Sequence, residues 1–382
     1  MTTAFIILFW FSVFFVIYSY TIYPVLLTIF AKLFASPVKP VEHYFPSVGV
    51  LVPVHNEEKV IRKKIENIFS LDYPSDKISI WIGSDCSTDN SEKIVREFND
   101  PRVHLWVAEK RGGKTGVLNG LAPHIEADII LFTDANTVHH RDCLKFLTAN
   151  YADPRVGGVA GHINHAIAGD EEYGENIYRK FESRQKFLEG SLHSTISAFG
   201  GFYSIRKSLF KPIPPNAYSN DDVIIPMKVI DQGYRIIYEP RALSEEDTTG
   251  DASQEYSRRI RIGAGNFQAF FWLLGFLNPF KGWPWFCYIS HKVTRWFSPI
   301  ALTLGYLACG VLAFTADFTV YKMLFATGTI FIITGLGFKV IPIRLTRHIF
   351  YFLIMNMALI AGFFRYLRGI RSAAWSRTER VN

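Results

Sequence analysis

Residues 4–31 read "AFIILFWFSVFFVIYSYTIYPVLLTIFA", without one charged side chain. A bilayer core takes roughly 20 consecutive apolar residues of helix. This stretch therefore restricts the N-terminus to a membrane-spanning helix or a cleaved targeting segment. A cleavable signal would carry a basic start and a shorter apolar core. Here the chain begins "MTTA" and the run is too long for such a core. The expectation is an uncleaved anchor over residues 1–35. Lys32 and Lys39 follow the run, so the positive-inside bias places the next segment in the cytoplasm.

Composition agrees with a chain that is part membrane and part soluble. Of the 382 residues, 49% are hydrophobic, 15% aromatic and 20% charged, and the mean hydropathy is +0.13. The formal net charge is +7. Much of that excess borders apolar runs: Lys339, Arg344 and Arg347, then Arg365, Arg368, Arg371, Arg377 and Arg380. Such placement suits anionic lipid headgroups rather than a nucleic-acid groove, so membrane lipids are expected partners and nucleic acid is not. The four cysteines, Cys86, Cys143, Cys287 and Cys309, show no CxxC pair and no zinc spacing. Free thiols on a cytosolic protein face follow. His55 is a weak site candidate, while His139 and His140 read as solvated.

The three prolines of "SPVKPVEHYFP" mark residues 36–46 as a linker. Residues 47–266 then alternate strand and helix. "VGVLVPV" (48–54), "ISIWIGS" (78–84), "VHLWV" (103–107) and "DIILFT" (128–133) read as strands. "EEKVIRKKIENIF", "SEKIVREF" and "KTGVLNGL" between them read as helices. That order predicts a mostly parallel sheet covered by helices, with ligands beyond the carboxyl ends of the strands. The polar residues stand at those ends: His55–Glu57, Asp85, Lys110–Lys114, Asp134 and Asn136. Residues 267–292, aromatic and interrupted by Pro279 and Pro284, read as interfacial helices. Residues 293–366 hold three candidate spans, at about 297–316, 323–342 and 349–364, before a basic tail at 367–382. One anchor and three spans put the C-terminus outside, whereas its arginines argue for the inside.

Three nucleotide-site readings compete. "AEKRGGKT" (108–115) follows a strand and opens a helix as a P-loop does, but Ala108 holds the position of the first glycine. The acidic strand also follows too soon. A dinucleotide site needs G-x-G-x-x-G after the first strand, which instead ends "VPVHNEE". The third reading uses all the polar clusters at once. "VPVHNEE", "SDCSTDN", "KRGGKTGVLNG", "FTDAN", "NDD" and "RRIRI", in this order and spacing, resemble the inverting family-2 glycosyltransferases. Within them they resemble the membrane-bound branch of cellulose, chitin and hyaluronan synthases and ceramide glucosyltransferase. The resemblance covers roughly residues 47–268, and the flanking membrane segments match in layout.

The resemblance implies a role for each motif. Pro53 and Glu57 would touch the base and ribose of a donor nucleotide, and a carboxylate suits ribose hydroxyls. Asp85 would read uracil, whereas Asp89 is expected to be structural, starting the next helix. Lys114 would contact the nucleotide, beside glycines that allow close approach of an anion. Asp134 is the first acid of the family's Asp-x-Asp motif and would place a metal-bound diphosphate. Asn136 replaces the second acid. Both are candidate ligands of a divalent metal, Mg²⁺ or Mn²⁺, held more weakly than by two carboxylates. Asp222, with Asp221 beside it, matches the catalytic base that takes the acceptor's proton. Arg258, Arg259 and Arg261 match the arginines that grip the leaving diphosphate. Gly200, Gly201 and Phe202 match the acceptor-side loop. Ile262 stands where polymerising relatives carry an acceptor-side Trp.

The expected fold class is therefore α/β, a Rossmann-like GT-A glycosyltransferase domain plus transmembrane and interfacial helices. The expected function is transfer of a sugar from a nucleotide sugar, UDP-linked, to a hydroxyl of a growing polysaccharide or a lipid. A non-processive lipid glycosyltransferase, a P-loop-like NTPase and an inactive scaffold are the alternatives. The expected location is a bacterial inner membrane, with the catalytic domain cytoplasmic.

Overall fold

The computed structural model describes residues 2–166, 172–247, 252–341 and 343–369. It divides into two compact units. One holds residues 29–247 with 281–284, the other 2–28, 252–280 and 285–369. The arginines of the tail beyond residue 369, Arg371, Arg377 and Arg380, lie outside the described residues.

The first unit is built on an eight-stranded sheet. Its strands are β1 (Val48–Val54), β2 (Ile78–Ser84), β3 (Val103–Val107), β4 (Ile129–Thr133), β5 (Thr137–His139), β6 (Val156–Ala166), β7 (Phe202–Arg206) and β8 (Arg235–Asp247). The spatial order is β3-β2-β1-β4-β7-β6-β8-β5. β3, β2, β1 and β4 run parallel, as the strand–helix alternation predicts. The other half is mixed. β7 lies antiparallel between β4 and β6, β6 and β8 pair in parallel, and β5 is antiparallel to β8.

The central strands are Val/Ile-rich because both faces are covered; every residue of β1 and β4 is buried. On one face Val48, Val50, Val52 and Val54 share a core with Ile61, Ile65 and Ile68 of the helix Ile61–Phe69. On the other, glycines let the helix Gly113–Leu121 and the turn after it press onto the sheet. A Cβ on Gly83 would come within 2.2 Å of Val117, and one on Gly49 within 2.3 Å of Ile125. That close seat positions the N-terminus of the helix, and with it Lys114, beside the strand ends.

β1 connects in sequence to β2 and β3 on one side, while β4 joins on its other side. This is the point where strand order reverses, and open α/β sheets bind ligands in the crevice there. β1–β4 pairing stops at Leu51–Phe132, two residues before Pro53, which has no N–H to give. Past that point the chain runs on to His55–Glu57 after β1 and to Asp134–Asn136 after β4.

The second unit is helical. Among the described residues, four helices are long and apolar enough to cross a membrane: Thr2–Phe34, Trp283–Thr315, Thr319–Leu336 and Arg344–Leu367. The sequence-based span at 323–342 is shifted, running Thr319–Leu336, because a short 3-10 turn at Gly337–Lys339 ends it. Part of the aromatic stretch 267–292, from Trp283 on, is continuous with the following span. Two π-helical turns, Tyr18–Ile22 and Tyr288–Val293, sit opposite one another. Tyr18 Oη lies 2.7 Å from Ser290 Oγ, and Thr294 Oγ1 donates to Ser19 Oγ at 3.0 Å. Hydrogen bonds of this kind join helices that have little hydrophobic reason to associate in lipid. The helix Ala252–Trp272 packs on Arg344–Leu367 through glycines: a Cβ on Gly362 would lie 2.7 Å from the Ala264 nitrogen, and one on Gly263 3.2 Å from Leu359 Cα.

Candidate active site

The loops at the carboxyl ends of β1 and β2 are laced together. Asn56 and Cys86 hold left-handed backbone (φ 59° and 55°), a conformation that costs a non-glycine residue about 1–2 kcal/mol. Asn56 Oδ1 accepts from the Thr88 N–H at 2.7 Å, and Ser91 Oγ accepts from the Glu57 N–H at 2.8 Å. Asp89 Oδ1 accepts from the Ser91 N–H at 2.9 Å, the structural task expected of it. His55 packs its Nδ1 2.9 Å from the Asp85 carbonyl, so it ties β1 to β2.

Asp85 is fully buried. Its Oδ1 accepts from Gly112 N–H at 2.7 Å and Gly113 N–H at 3.2 Å, and its Oδ2 from Gly113 N–H at 3.1 Å. Arg111 Nε lies 3.6 Å from Oδ2. This carboxylate thus fastens the "KRGGK" loop. The same contacts argue against a P-loop, because the amides that would cradle a phosphate are already donated to Asp85.

Lys114, the second residue of its helix, reaches the centre of the site. Its Nζ lies 2.9 Å from Asp134 Oδ1, 3.3 Å from Asp221 Oδ2 and 3.3 Å from the Gly200 carbonyl. Burial works against the ammonium charge, but Asp134, Asp221 and Asp222 outweigh it and hold the pKa above the ordinary lysine value. Asp221 Oδ2 also accepts from the Tyr203 hydroxyl at 2.9 Å. Tyr203 is buried and stacked on Phe132, and burial followed by the charge of Asp221 pushes its pKa well up.

Asp221 and Asp222 open the helix Asp221–Asp231, at the positive end of its dipole. Asn220 before them is left-handed (φ 69°), and the Ala198 N–H donates to the Asp222 carbonyl at 2.8 Å. Together these aim the Asp222 carboxylate at the loop before β7. A Cβ on Gly200 would stand 3.7 Å from Asp222 Oδ2. One on Gly201 would stand 2.7 Å from Thr137 Oγ1 and 3.5 Å from Asp134 Oδ2, so a side chain there would collide.

The sheet unit therefore brings together Lys114, Asp134, Asp221, Asp222, Gly200 and Gly201, with Asp85 fixing the loop behind them. Pro53 is buried in β1 and Glu57 is partly exposed at its end. Phe202 departs from the acceptor-side reading. It opens β7, is fully buried, and packs its ring 4.7 Å from that of His139. His139 is likewise buried rather than solvated, whereas His140 stays half-exposed beside Glu245. Arg258, Arg259, Arg261 and Ile262 lie on the helix Ala252–Trp272 of the helical unit, with Arg258 exposed and the others partly so.

Two residues were missed from sequence. Glu246 on β8 accepts from the Asn136 amide N–H at 3.1 Å. Its signal was the acidic cluster "SEED" closing an apolar strand. Lys64 stands on the buried stripe Ile61, Ile65, Ile68, where a lysine interrupts an otherwise apolar helix face.

A divalent metal would find oxygen donors here. Among the described residues no three His, Cys, Asp or Glu gather to hold one. The Asp134 carboxylate, the Asn136 amide oxygen and the neighbouring Glu246 carboxylate are nonetheless hard ligands. They would suit a Mg²⁺ or Mn²⁺ ion, which prefers oxygen donors. The Asn136–Glu246 bond also sharpens a prediction. Asn136→Asp exchanges an N–H donor for a carboxylate facing Glu246. The metal-free protein should lose on the order of 1–3 kcal/mol, while Mn²⁺ in the presence of UDP should bind roughly tenfold more tightly. Melting curves with EDTA and Mn²⁺ titrations check both, and unchanged Mn²⁺ affinity would count against Asn136 as a ligand position.

The chain is also similar to known proteins in sequence and in fold. The model of the family "Glycosyl transferase family 2" matches residues 49–212. The chain carries a family-2 glycosyltransferase domain. Over 172 residues the chain is 30% identical to a beta-monoglucosyldiacylglycerol synthase of Nostoc sp., covering 44% of this chain and 36% of that protein. Over 232 residues it is 25% identical to the poly-beta-1,6-N-acetyl-D-glucosamine synthase of Staphylococcus aureus, covering 58% and 55%. The chain thus spans about a third to a half of the length of these curated relatives. Among solved structures, the mannosyltransferase PcManGT from Pyrobaculum calidifontis, in complex with GDP-Man and Mn²⁺, superposes with a TM-score of 0.73 at 24% identity. That match covers 94% of this chain and 99% of that one, and it establishes the GT-A fold of the glycosyltransferase domain.

Proposed function

We propose that the chain is a membrane-bound inverting glycosyltransferase. It moves a sugar from a nucleotide sugar, UDP-linked by the resemblance, to a hydroxyl of a polysaccharide or a lipid. The observation that carries this reading is the convergence of Lys114, Asp134, Asp221 and Asp222 around Gly200 and Gly201 at the strand ends. Asp222 takes the proton of the acceptor hydroxyl as that oxygen attacks the anomeric carbon. The new C–O bond forms opposite the breaking bond to the diphosphate, so configuration inverts and the nucleoside diphosphate leaves. Asp221, engaged by Lys114 and Tyr203, keeps Lys114 in place rather than acting as the base. Lys114 supplies fixed positive charge toward the diphosphate. A divalent ion at Asp134 and Asn136, when bound, adds further neutralisation of the leaving group. Arg258, Arg259 and Arg261 keep, within this proposal, the diphosphate role that the resemblance gives them. The four apolar helices would hold the enzyme in the membrane, with the sheet unit on the cytoplasmic side.

A second reading, single transfer to a lipid, is favoured by Ile262, which offers no aromatic face for a growing sugar chain. The test is a panel of UDP- and GDP-sugars supplied to membranes containing the protein, with products weighed by mass spectrometry. One nucleotide sugar should yield a glycosylated lipid or polymer and free nucleoside diphosphate. One added sugar marks single transfer, and a ladder marks polymerisation. Turnover of ATP with no use of any nucleotide sugar would overturn the proposal.

A further inference from the structure

Lys64 is fully enclosed beneath the Asp134–Asn136 turn. An ammonium has three N–H donors and no acceptor, and this one has three partners. Nζ donates to Thr133 Oγ1 at 2.8 Å, to the Thr137 carbonyl, and to His139 Nε2 at 3.1 Å. Thr133 immediately precedes Asp134, and Thr137 immediately follows Asn136. The one side chain therefore grips both ends of the Asp-Ala-Asn triplet, while Ala135 between them is buried in the core.

The partners of that grip are themselves fixed. With Nε2 accepting from Lys64, His139 carries its proton on Nδ1, which lies 2.6 Å from Ser244 Oγ. Burial, then the charge of Lys64, lowers the His139 pKa well below the ordinary value, consistent with a neutral ring. Asn67, one turn after Lys64, clamps the His139 backbone. Its Oδ1 accepts from the His139 N–H at 2.8 Å, and its Nδ2 donates to the His139 carbonyl at 2.9 Å. Lys64's hydrogen-bond partners are thus a hydroxyl, a carbonyl and an imidazole, none of them acidic. Burying a lysine this way is costly; burial lowers its pKa to about 7, with Asp134 the largest opposing influence. A leucine or methionine would fill the same core position at no such cost.

We propose that Lys64 is a positioning residue of the donor site, setting the Asp134–Asn136 turn at the height that the nucleotide diphosphate and its metal require. This inference rests on the nucleotide-sugar reading above. Positioning groups that orient ligand-bearing residues typically contribute about 10- to 100-fold in affinity or activity.

The experiment compares the parent enzyme with Lys64→Met, which keeps the side-chain volume and removes all three donors. UDP and GDP binding are measured by calorimetry with Mn²⁺, and donor KM and kcat are measured with the sugar nucleotide that the parent uses. The expected result is a folded variant whose nucleotide Kd and donor KM rise about tenfold or more while kcat at saturating donor changes far less. Thr133→Val, which removes one of the three acceptors, should move the same constants in the same direction by a smaller factor. That variant decides the matter should Lys64→Met fail to fold. Donor KM and nucleotide Kd within twofold of the parent, in folded variants, would make Lys64 a core residue only and overturn the inference. A parent that binds neither nucleotide would instead overturn the nucleotide-sugar reading.

Discussion

Asp222→Asn should lower sugar transfer by about 10²- to 10⁴-fold, the range removed with a general base, while UDP still binds. The substitution preserves shape, and the site is arranged so that shape is kept. The Asp222 backbone is held by the Ala198 N–H, and its helix is started by the left-handed Asn220; neither depends on the side-chain charge. The proposed nucleotide side uses other residues, chiefly Lys114 and Asp134, which pair directly with each other at 2.9 Å. The substitution removes one favourable charge at a helix N-terminus, worth about 0.3–1 kcal/mol, and the electrostatic support that Asp222 gives Lys114. Initial-rate assays and UDP calorimetry on the same preparation check this. Retained full activity would remove Asp222 from the base role, and joint loss of activity and UDP binding would place it on the donor instead.

Lys114→Met should be the other severe change, raising the UDP Kd by roughly 30-fold or more, as when one member of a hydrogen-bonded charge pair is truncated. In the parent, one ammonium bridges Asp134 and Asp221 and ties them to the Gly200 carbonyl. Without it, neighbouring carboxylates face each other, and an incoming diphosphate meets negative charge. The pair is partly open to solvent, with Lys114 24% exposed and Asp134 34%, so the stability loss should stay near 1–2 kcal/mol rather than that of a sealed ion pair. The pH dependence has a defined sign. The folded-state pKa of Lys114 is raised, so its contribution is complete below the ordinary lysine value and is lost only as pH climbs through the raised one. Lys114 therefore stays charged throughout the range from pH 5 to pH 8, and the stability gap between parent and variant should be the same at both. Thermal melts at pH 5 and pH 8 measure that gap; a gap that closed at pH 8 would contradict the assignment.

The sequence was most readable where burial and local chemistry agree. β1, β2 and β3 begin and end where their apolar runs do, because each is closed by a polar turn. The motif acids Asp134, Asp221 and Asp222 fall within one cluster because the strand–helix alternation predicts which ends face together. The antiparallel half was harder. "FGGFYSIRK" looks like a glycine loop, yet from Phe202 on it is β7, since the turn and the strand share one motif and only pairing with β4 separates them. His139 looked solvated because its polar neighbours in space, Lys64 and Ser244, are far away in the chain. Asp85 was recognised as important, but its grip on Gly112 and Gly113 depends on a loop fold that spacing does not encode.

The glycine crossing of Ala252–Trp272 on Arg344–Leu367 has a mechanical meaning. Contacts made through backbone leave no side chain to swing aside, so any side chain at Gly263 or Gly362 would force the two helices apart. Arg258, Arg259 and Arg261 stand on the same helix just before Gly263, so the glycine seat fixes where that row stands along Arg344–Leu367.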